Sequence, residues 1–160
     1  MKLHLSNYNF SKLFKFALVS LLISSCSSYS EKEIKEFDNT INSHIEKEKL
    51  IMDRLENGLY YDIISEGSGE DYIKFTDEVT FIYTGKFLDG EVFQEINEND
   101  PLTFKVSQLI AGWQDALSLI KEGGEIKVIL PPQLAYGTKN TGAIPPNSIL
   151  FYKLKVIEVK

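Results

Sequence analysis

The chain has 160 residues, of which 43% are hydrophobic and 25% charged, and its net charge is −6 at neutral pH. This length allows one globular domain with a short additional segment, and the composition argues against wholesale disorder. All 23 acidic residues lie after residue 25, against 14 basic ones there, and the resulting charge of −9 disfavours nucleic acid as a partner.

The first 25 residues have the pattern of a secretory signal peptide. A positively charged leader is followed by an apolar run, residues 14–23, that is too short to span a bilayer as a stable helix. The run leads into Ile23-Ser24-Ser25-Cys26, which resembles a bacterial lipobox, the motif whose cysteine is lipidated and becomes the mature N-terminus. We therefore predict a signal peptide over residues 1–25 and a fatty-acylated Cys26. A plain secretory signal followed by a free cysteine is the alternative.

Cys26 is the only cysteine in the sequence, which excludes an intrachain disulfide and a cysteine-based metal cluster. Residues 26–33 are polar and predict a tether between the lipid and the folded part. Several acyl chains, at about 0.8 kcal/mol per buried methylene, would attach such a protein stably to a membrane. We expect a cell-envelope protein on the periplasmic face of the outer or inner membrane, or at the cell surface.

Residues 34–57 predict one amphipathic helix that ends at Asn57-Gly58, a typical helix C-cap. Two roles for this helix stay open. It could pack on its own domain or space that domain from the membrane, or it could be a homodimerisation arm through residues 34–55. Glu48 interrupts the stripe, which weakens the case for a coiled coil. The apolar stripe consists of Ile34, Phe37, Ile41, Ile45, Met52 and Leu55.

From Leu59 onward the apolar residues alternate with polar ones, which is typical of strands. One short helix interrupts this pattern at Leu109–Ile120, where apolar residues including Trp113 recur at steps of three and four. The last strand, Ile149–Val159, is apolar enough to lie centrally in a sheet. Five other strands are predicted. They are one that begins at Leu59, one from Val79 to Thr84-Gly85, one after the Asp89-Gly90 turn, one after Pro101 that carries Leu102, Phe104 and Val106, and one over Ile126–Leu130 that ends before Pro131-Pro132.

Most enzyme chemistries are excluded by counting residues. The only histidines are His4 in the leader and His44 on the predicted helix, so the folded domain lacks a Ser-His or Cys-His nucleophile system and a histidine-based zinc site. The sequence also lacks a phosphate-binding glycine loop of the P-loop or dinucleotide type. We expect neither a metal nor a cofactor, and the residues left for function are aromatic and aliphatic.

Four segments in register resemble the FKBP-type peptidyl-prolyl isomerases. The resemblance covers residues 58–160 and implies an α+β fold, in which an antiparallel half-barrel sheet wraps around one short helix. A lipoprotein of this layout is similar to periplasmic isomerases of Bacteroidota, including those linked to gliding motility. The segments are VTFIYTGKFLDGEVF, PLTFKVSQLIAGWQDAL, GGEIKVILPPQLAYG and AIPPNSILFYKLKVIEV.

The resemblance implies that the domain binds the proline of an X-Pro bond in an apolar pocket and catalyses its cis–trans isomerisation in exported client polypeptides. The backbone N–H of Ile110 and the hydroxyl of Tyr136 are the implied hydrogen-bond donors to the substrate carbonyls. The catalytic positions carried over are Tyr83, Phe93, Ile110, Trp113, Tyr136 and Tyr152, and the substrate-binding positions are Leu102, Leu109, Ala143, Ile144 and Gln94.

Gln94 departs from the family pattern, because an aspartate usually follows the phenylalanine at position 93 and accepts a hydrogen bond from the tyrosine at position 83. An amide oxygen at Gln94 offers an acceptor without charge assistance. The loop at residues 137–142 is also shorter than usual and lacks the familiar histidine. We therefore expect lowered activity and weakened macrolide binding. A catalytically weak chaperone or protein-binding module at the cell envelope is the alternative function.

Overall fold

The computed structural model describes residues 29–160, so the predicted signal peptide and Cys26 lie outside the described residues. Within residues 29–160 the chain forms two α-helices and one seven-stranded sheet, joined by turns and two short 3₁₀ segments. The elements are α1 (Glu31–Glu48), β1 (Asp53–Arg54), β2 (Tyr60–Ser65), β3 (Glu78–Phe87), β4 (Val92–Ile96), β5 (Leu102–Lys105), α2 (Ala111–Leu117), β6 (Glu125–Leu130) and β7 (Leu150–Val159).

The strands pair antiparallel in the order β1-β2-β6-β7-β3-β4, and β5 pairs with the other half of β3. Strand β7 lies between β6 and β3, which confirms its predicted central place. The predicted end of the second strand at Thr84-Gly85 is wrong, because β3 continues to Phe87, opposite Leu150 of β7. The long central partner keeps the backbone of β3 hydrogen-bonded past Gly85.

Helix α2 lies on the concave face of the sheet and is shorter than the predicted Leu109–Ile120. Ile110 has an extended backbone and is the N-cap of α2, while Ser118 caps its C-terminal end. A Cβ atom on Gly112 would fall 2.5 Å from Cδ2 of Leu130, so the glycine lets the helix approach β6 closely. The buried side chains of Trp113, Ala116 and Leu117 join the main core between helix and sheet.

Helix α1 differs from the predicted helix at both ends. It begins at Glu31 in a capping box: the Ser30 Oγ accepts from the Glu33 N–H, and the Glu33 carboxylate accepts from the Ser30 N–H at 2.8 Å. It ends at Glu48, followed by Lys49 in the left-handed conformation. Residues 31–33 therefore belong to the helix rather than to the predicted tether.

The residues after α1 form β1 instead of two more helical turns. Asp53 and Arg54 pair with Tyr61 and Tyr60 of β2, so a sheet contact replaces the helical pattern there. The predicted cap at Asn57-Gly58 is a turn between β1 and β2, in which the Gly58 N–H donates to Leu55 O at 3.0 Å.

The outer face of the sheet receives the apolar side of α1. Ile41 is fully buried against Tyr60, Ile129 and Phe151, which form a second, smaller core. Asp38 fixes the helix laterally, because its Oδ1 accepts from Tyr60 Oη at 2.6 Å and from Arg54 Nε at 3.0 Å. The described helix thus packs on its own domain. None of the helices in residues 29–160 has the length and apolar character needed to cross a bilayer.

Candidate active site

A cavity of ≈ 320 Å³ opens between the concave face of the sheet and the N-terminal end of α2. Six separate parts of the chain build its walls: β3, β5, the segment before α2, α2 itself, the loop after β6, and β7. The lining residues are Phe81, Tyr83, Leu102, Phe104, Gln108, Leu109, Ile110, Trp113, Tyr136 and Tyr152.

Trp113 lies at the base of the cavity and is held by aromatic rings on three sides. Its ring meets those of Phe81, Tyr83 and Tyr152 edge to face, with centroid distances of 5.2, 4.8 and 5.0 Å. Edge-to-face pairs are favoured arrangements that add to the free energy of burial. The indole Nε1 is buried and has no hydrogen-bond partner among residues 29–160. The aromatic base is therefore rigid and largely free of polar contacts.

Ile110 offers a backbone donor at the edge of this base. Its carbonyl accepts from the N–H groups of Trp113 at 2.9 Å and Gln114 at 3.2 Å, as expected for an N-cap residue. Its own N–H donates to no residue in the part of the chain that the structure describes. Gln114 Nε2 holds the preceding carbonyl of Leu109 at 2.7 Å. An N–H group fixed in this way is available to a carbonyl that enters the cavity.

Three tyrosines supply the hydroxyl groups of the site. Burial raises the pKa of Tyr83 to about 12, with the nearby Tyr136 hydroxyl as the second cause. Burial raises the pKa of Tyr152 as well, and Tyr136 again adds to the rise. Both phenols are therefore un-ionised at neutral pH and able to donate hydrogen bonds.

Seven of the residues named from the sequence line the cavity together: Tyr83, Leu102, Leu109, Ile110, Trp113, Tyr136 and Tyr152. Phe93 lies behind this wall, where its ring packs edge to face on Tyr152 at 5.7 Å. Gln94 is exposed on β4 opposite Gly85 and does not line the cavity. Ala143 is exposed in its loop, while Ile144 is buried in the main core.

Three lining residues were missed by sequence reasoning: Phe81, Phe104 and Gln108. Phe81 lies on the inward face of β3 with Val79 and Tyr83, so the alternation of side chains along this strand already predicted that it faces inward. Phe104 lines the cavity because its strand, β5, pairs with β3, where Leu102 lies opposite Phe81. That pairing joins strands about twenty residues apart and has no local signature.

The lining contains no carboxylate, amine, imidazole or thiol. Within residues 29–160, no group of three or more His, Cys, Asp or Glu side chains is arranged to hold a metal ion. The cavity can exclude water from an apolar ring of a ligand. It can also offer the carbonyl groups beside that ring hydrogen bonds from an N–H group and from phenolic hydroxyls.

A family model described as FKBP-type peptidyl-prolyl cis-trans isomerase matches residues 69–157, more than half of the chain. A probable FKBP-type peptidyl-prolyl cis-trans isomerase of Haemophilus influenzae is 39% identical over 130 residues, which cover 80% of this chain and 53% of the relative. The outer membrane protein MIP of Legionella longbeachae is 44% identical over 108 residues, 66% of this chain and 46% of the relative.

The crystal structure of FkpA from Escherichia coli matches with a TM-score of 0.70 and 33% identity, covering 81% of this chain and 62% of that one. This chain spans about half the length of the curated relatives it matches. The residues matched by the family model, 69–157, include every residue that lines the cavity. The chain belongs to the family of FKBP-type peptidyl-prolyl cis-trans isomerases.

Proposed function

We propose that this protein catalyses the cis–trans isomerisation of X-Pro bonds in the aromatic cavity around Trp113. The observation that carries the proposal is the combination of an aromatic base with a backbone N–H, that of Ile110, left unpaired within residues 29–160. A prolyl ring fills such a cavity without needing an acid, base or nucleophile. Of the positions carried over from the family, the seven that line the cavity are proposed to contact the client, with Ile110 N–H and Tyr136 Oη as hydrogen-bond donors.

Rotation about the prolyl amide breaks the resonance of its C–N bond and crosses a barrier of about 18–20 kcal/mol. The planar amide is more charge-separated than the twisted one, so an apolar cavity disfavours the ground state relative to the transition state. A tenfold rate increase requires about 1.4 kcal/mol, and an acceleration to millisecond turnover requires roughly 7 kcal/mol. Removal of water, shape, and hydrogen bonds from Ile110 N–H and Tyr136 Oη are proposed to supply this difference.

The test measures exchange between cis and trans forms of a short proline peptide by NMR, with the full-length chain in a mild detergent and a matched detergent blank. We expect exchange well above the uncatalysed rate. A rate equal to the blank, from a chain whose circular dichroism is native, would refute the catalytic role.

A second candidate is a binding module that retains the fold with weak turnover. The observation that favours it is the pair Tyr83 and Gln94: the Tyr83 hydroxyl makes no hydrogen bond to another residue in the described chain, and Gln94 offers no charged acceptor. A peptide that binds at the cavity without faster exchange would support this candidate.

We further propose that the clients are exported polypeptides and that acylated Cys26 anchors the protein in the cell envelope, as in the lipoprotein isomerases of Bacteroidota. Tyr29 is held on the domain by the hydrogen bond from its hydroxyl to Asn147 Oδ1 at 2.7 Å. Because an extended chain spans only about 3.3–3.6 Å per residue, the three residue steps from Cys26 to Tyr29 would keep Tyr29 within about 11 Å of the lipidated residue. Fatty-acid labelling of wild type and Cys26→Ala tests the anchor, and equal labelling would exclude it.

The proposed homodimer through residues 34–55 has to compete with the packing of α1 on its own sheet. Ile41, at the centre of the apolar stripe, is fully buried within the protomer. A dimer built on this stripe would require exchange of α1 between protomers. Sedimentation of the chain tests it: a concentration-dependent dimer that Ile41→Asp abolishes would support the exchange, whereas a monomer throughout would exclude it.

A further inference from the structure

A second groove of ≈ 570 Å³ adjoins the aromatic cavity. The two share Ile110 and Tyr136, so a chain that leaves the cavity over these residues enters the groove directly. One wall of the groove is built by Tyr29 and Ile34, which belong to the N-terminal segment. The segment before the family domain thus reaches the mouth of the proposed active site.

Tyr29 is fixed in this position by contacts from both sides. Its hydroxyl donates to Asn147 Oδ1 at 2.7 Å, and its ring meets Phe37 edge to face at 5.2 Å. Asn147 has a positive φ of 61° and its own N–H donates to Gly137 O at 2.8 Å. The wall is therefore tied to the same loop that carries Tyr136, and the groove is built before a client arrives.

The lining of the groove defines the chemistry of its occupant. Ile34 lies in the first turn of α1 and is 38% exposed, and it lines the groove together with Ala135 and Tyr136. Lys139 is the charged residue of the lining, and it forms no ion pair with any residue between 29 and 160. An apolar side chain beside a carboxylate complements these groups.

We propose that this groove is a client subsite that accepts an aliphatic or aromatic side chain next to an acidic residue, two or three residues from the proline. The spacing follows from the advance of about 3.3–3.6 Å per residue in an extended chain and from Ile110 and Tyr136, which border both cavities. The inference rests on the proposed isomerase function and extends it. It makes the segment from Tyr29 to Ile34 part of client selection.

The experiment compares two kinds of peptide on the full-length chain. A short blocked peptide contains only the X-Pro pair and one residue on each side. Long peptides carry Leu-Glu, Leu-Lys or Ser-Ser two and three residues from the proline, on either the N-terminal or the C-terminal side. Exchange rates by NMR give kcat/KM, and Trp113 fluorescence gives Kd independently of turnover.

Wild type should prefer the long Leu-Glu peptide on one side of the proline over the Ser-Ser peptide by about 5-fold or more. Ile34→Ala should lower kcat/KM for Leu-Glu by 3- to 10-fold more than for the short peptide, and Lys139→Glu should reverse the order of Leu-Glu and Leu-Lys. Ile157→Ala is the matched control, since Ile157 is 41% exposed and lies outside the groove. This control should keep the wild-type preference.

The proposed client subsite would be refuted if the wild-type protein did not distinguish long from short peptides, or if Ile34→Ala and Ile157→Ala had equal effects. Failure of the isomerase proposal gives a different result, in which no peptide exchanges faster than the blank. If Ile34→Ala and Lys139→Glu still raise the Kd of the Leu-Glu peptide in that case, the groove is a binding site without turnover.

Discussion

Gly85 lies directly under the ring of Phe93, and a Cβ atom on Gly85 would fall 2.6 Å from two ring carbons of Phe93 and 2.8 Å from Cε1 of Tyr152. The register between β3 and β4 shifts immediately after Gly85, so a bulge turns Phe93 over the glycine. This contact lets Phe93 support the ring of Tyr152 from behind, and Tyr152 in turn borders Trp113. The shape of the cavity wall therefore depends on the absence of a side chain at Gly85, a residue that does not itself line the cavity.

Gly85→Ala is expected to lower the free energy of unfolding by about 1–3 kcal/mol, because the added methyl displaces packed rings. It should also lower kcat/KM by shifting Tyr152. Urea denaturation and NMR exchange measure the two effects. Gly90→Ala is the control, as it has a positive φ of 96° but no atom within 4 Å of the new Cβ, so it should cost stability without changing activity. Equal activity losses in both variants would contradict this account.

Tyr136→Phe keeps the ring at the mouth of the cavity and removes the proposed donor to the client carbonyl. Loss of one hydrogen bond worth about 1–1.4 kcal/mol predicts a fall in kcat/KM of about 5- to 10-fold. Tyr61→Phe, on β2 and outside the cavity lining, should change kcat/KM little. A Tyr136→Phe variant with wild-type kcat/KM would show that the hydroxyl takes no part in turnover.

Gln94→Asp is expected to raise kcat/KM by about 2- to 5-fold. Gln94 pairs with Gly85 and so projects from the same face of the ladder as Tyr83, where a carboxylate could accept a charge-assisted hydrogen bond from the Tyr83 hydroxyl. Gln94→Asn has the length of aspartate without its charge and serves as the control. If both variants change the rate alike, the charge at position 94 is not what limits activity.

Ile41→Ala tests the attachment of α1 to the outer face of the sheet. Truncation of a fully buried isoleucine predicts a loss of about 2–5 kcal/mol in the free energy of unfolding, measured by urea denaturation. Ile45→Ala, at a half-buried position on the same helix face, should cost less. A negligible cost at Ile41 would mean that α1 does not stay on its own sheet in solution.

Stability is expected to fall above about pH 10. Tyrosine in an unfolded chain loses its proton near pH 10, whereas the pKa of Tyr83 in the folded protein is about 12. Between these values the unfolded state binds fewer protons, so the free energy of unfolding decreases by about 1.4 kcal/mol per pH unit for this group. Below pH 10 the Tyr83 hydroxyl keeps its proton in both states, so its full contribution to the free energy of unfolding is present there. Urea denaturation from pH 8 to 11.5 should show a shallower decline for Tyr83→Phe, and parallel curves would refute the assignment.

The strand pattern after residue 58 and the motif around Trp113 were readable from the sequence, because both depend on local features. Alternation of side chains marks one face of β3 and β7, and the glycines and prolines that end these segments act on their own backbone. The cavity residues from Leu109 to Trp113 follow from one continuous segment. The family resemblance then related them to Tyr83, Tyr136 and Tyr152.

The contacts that join distant segments could not be read in this way. Met52 and Leu55 fit the apolar stripe of α1, yet the helix ends at Glu48 because pairing of β1 with β2 offers the backbone an alternative set of hydrogen bonds. Tyr29 and Asn147 lie 118 residues apart, and only the packing of α1 on the sheet brings them together. Local periodicity thus determined which faces are buried, whereas long-range pairing decided where α1 stops and which residues surround the cavity mouth.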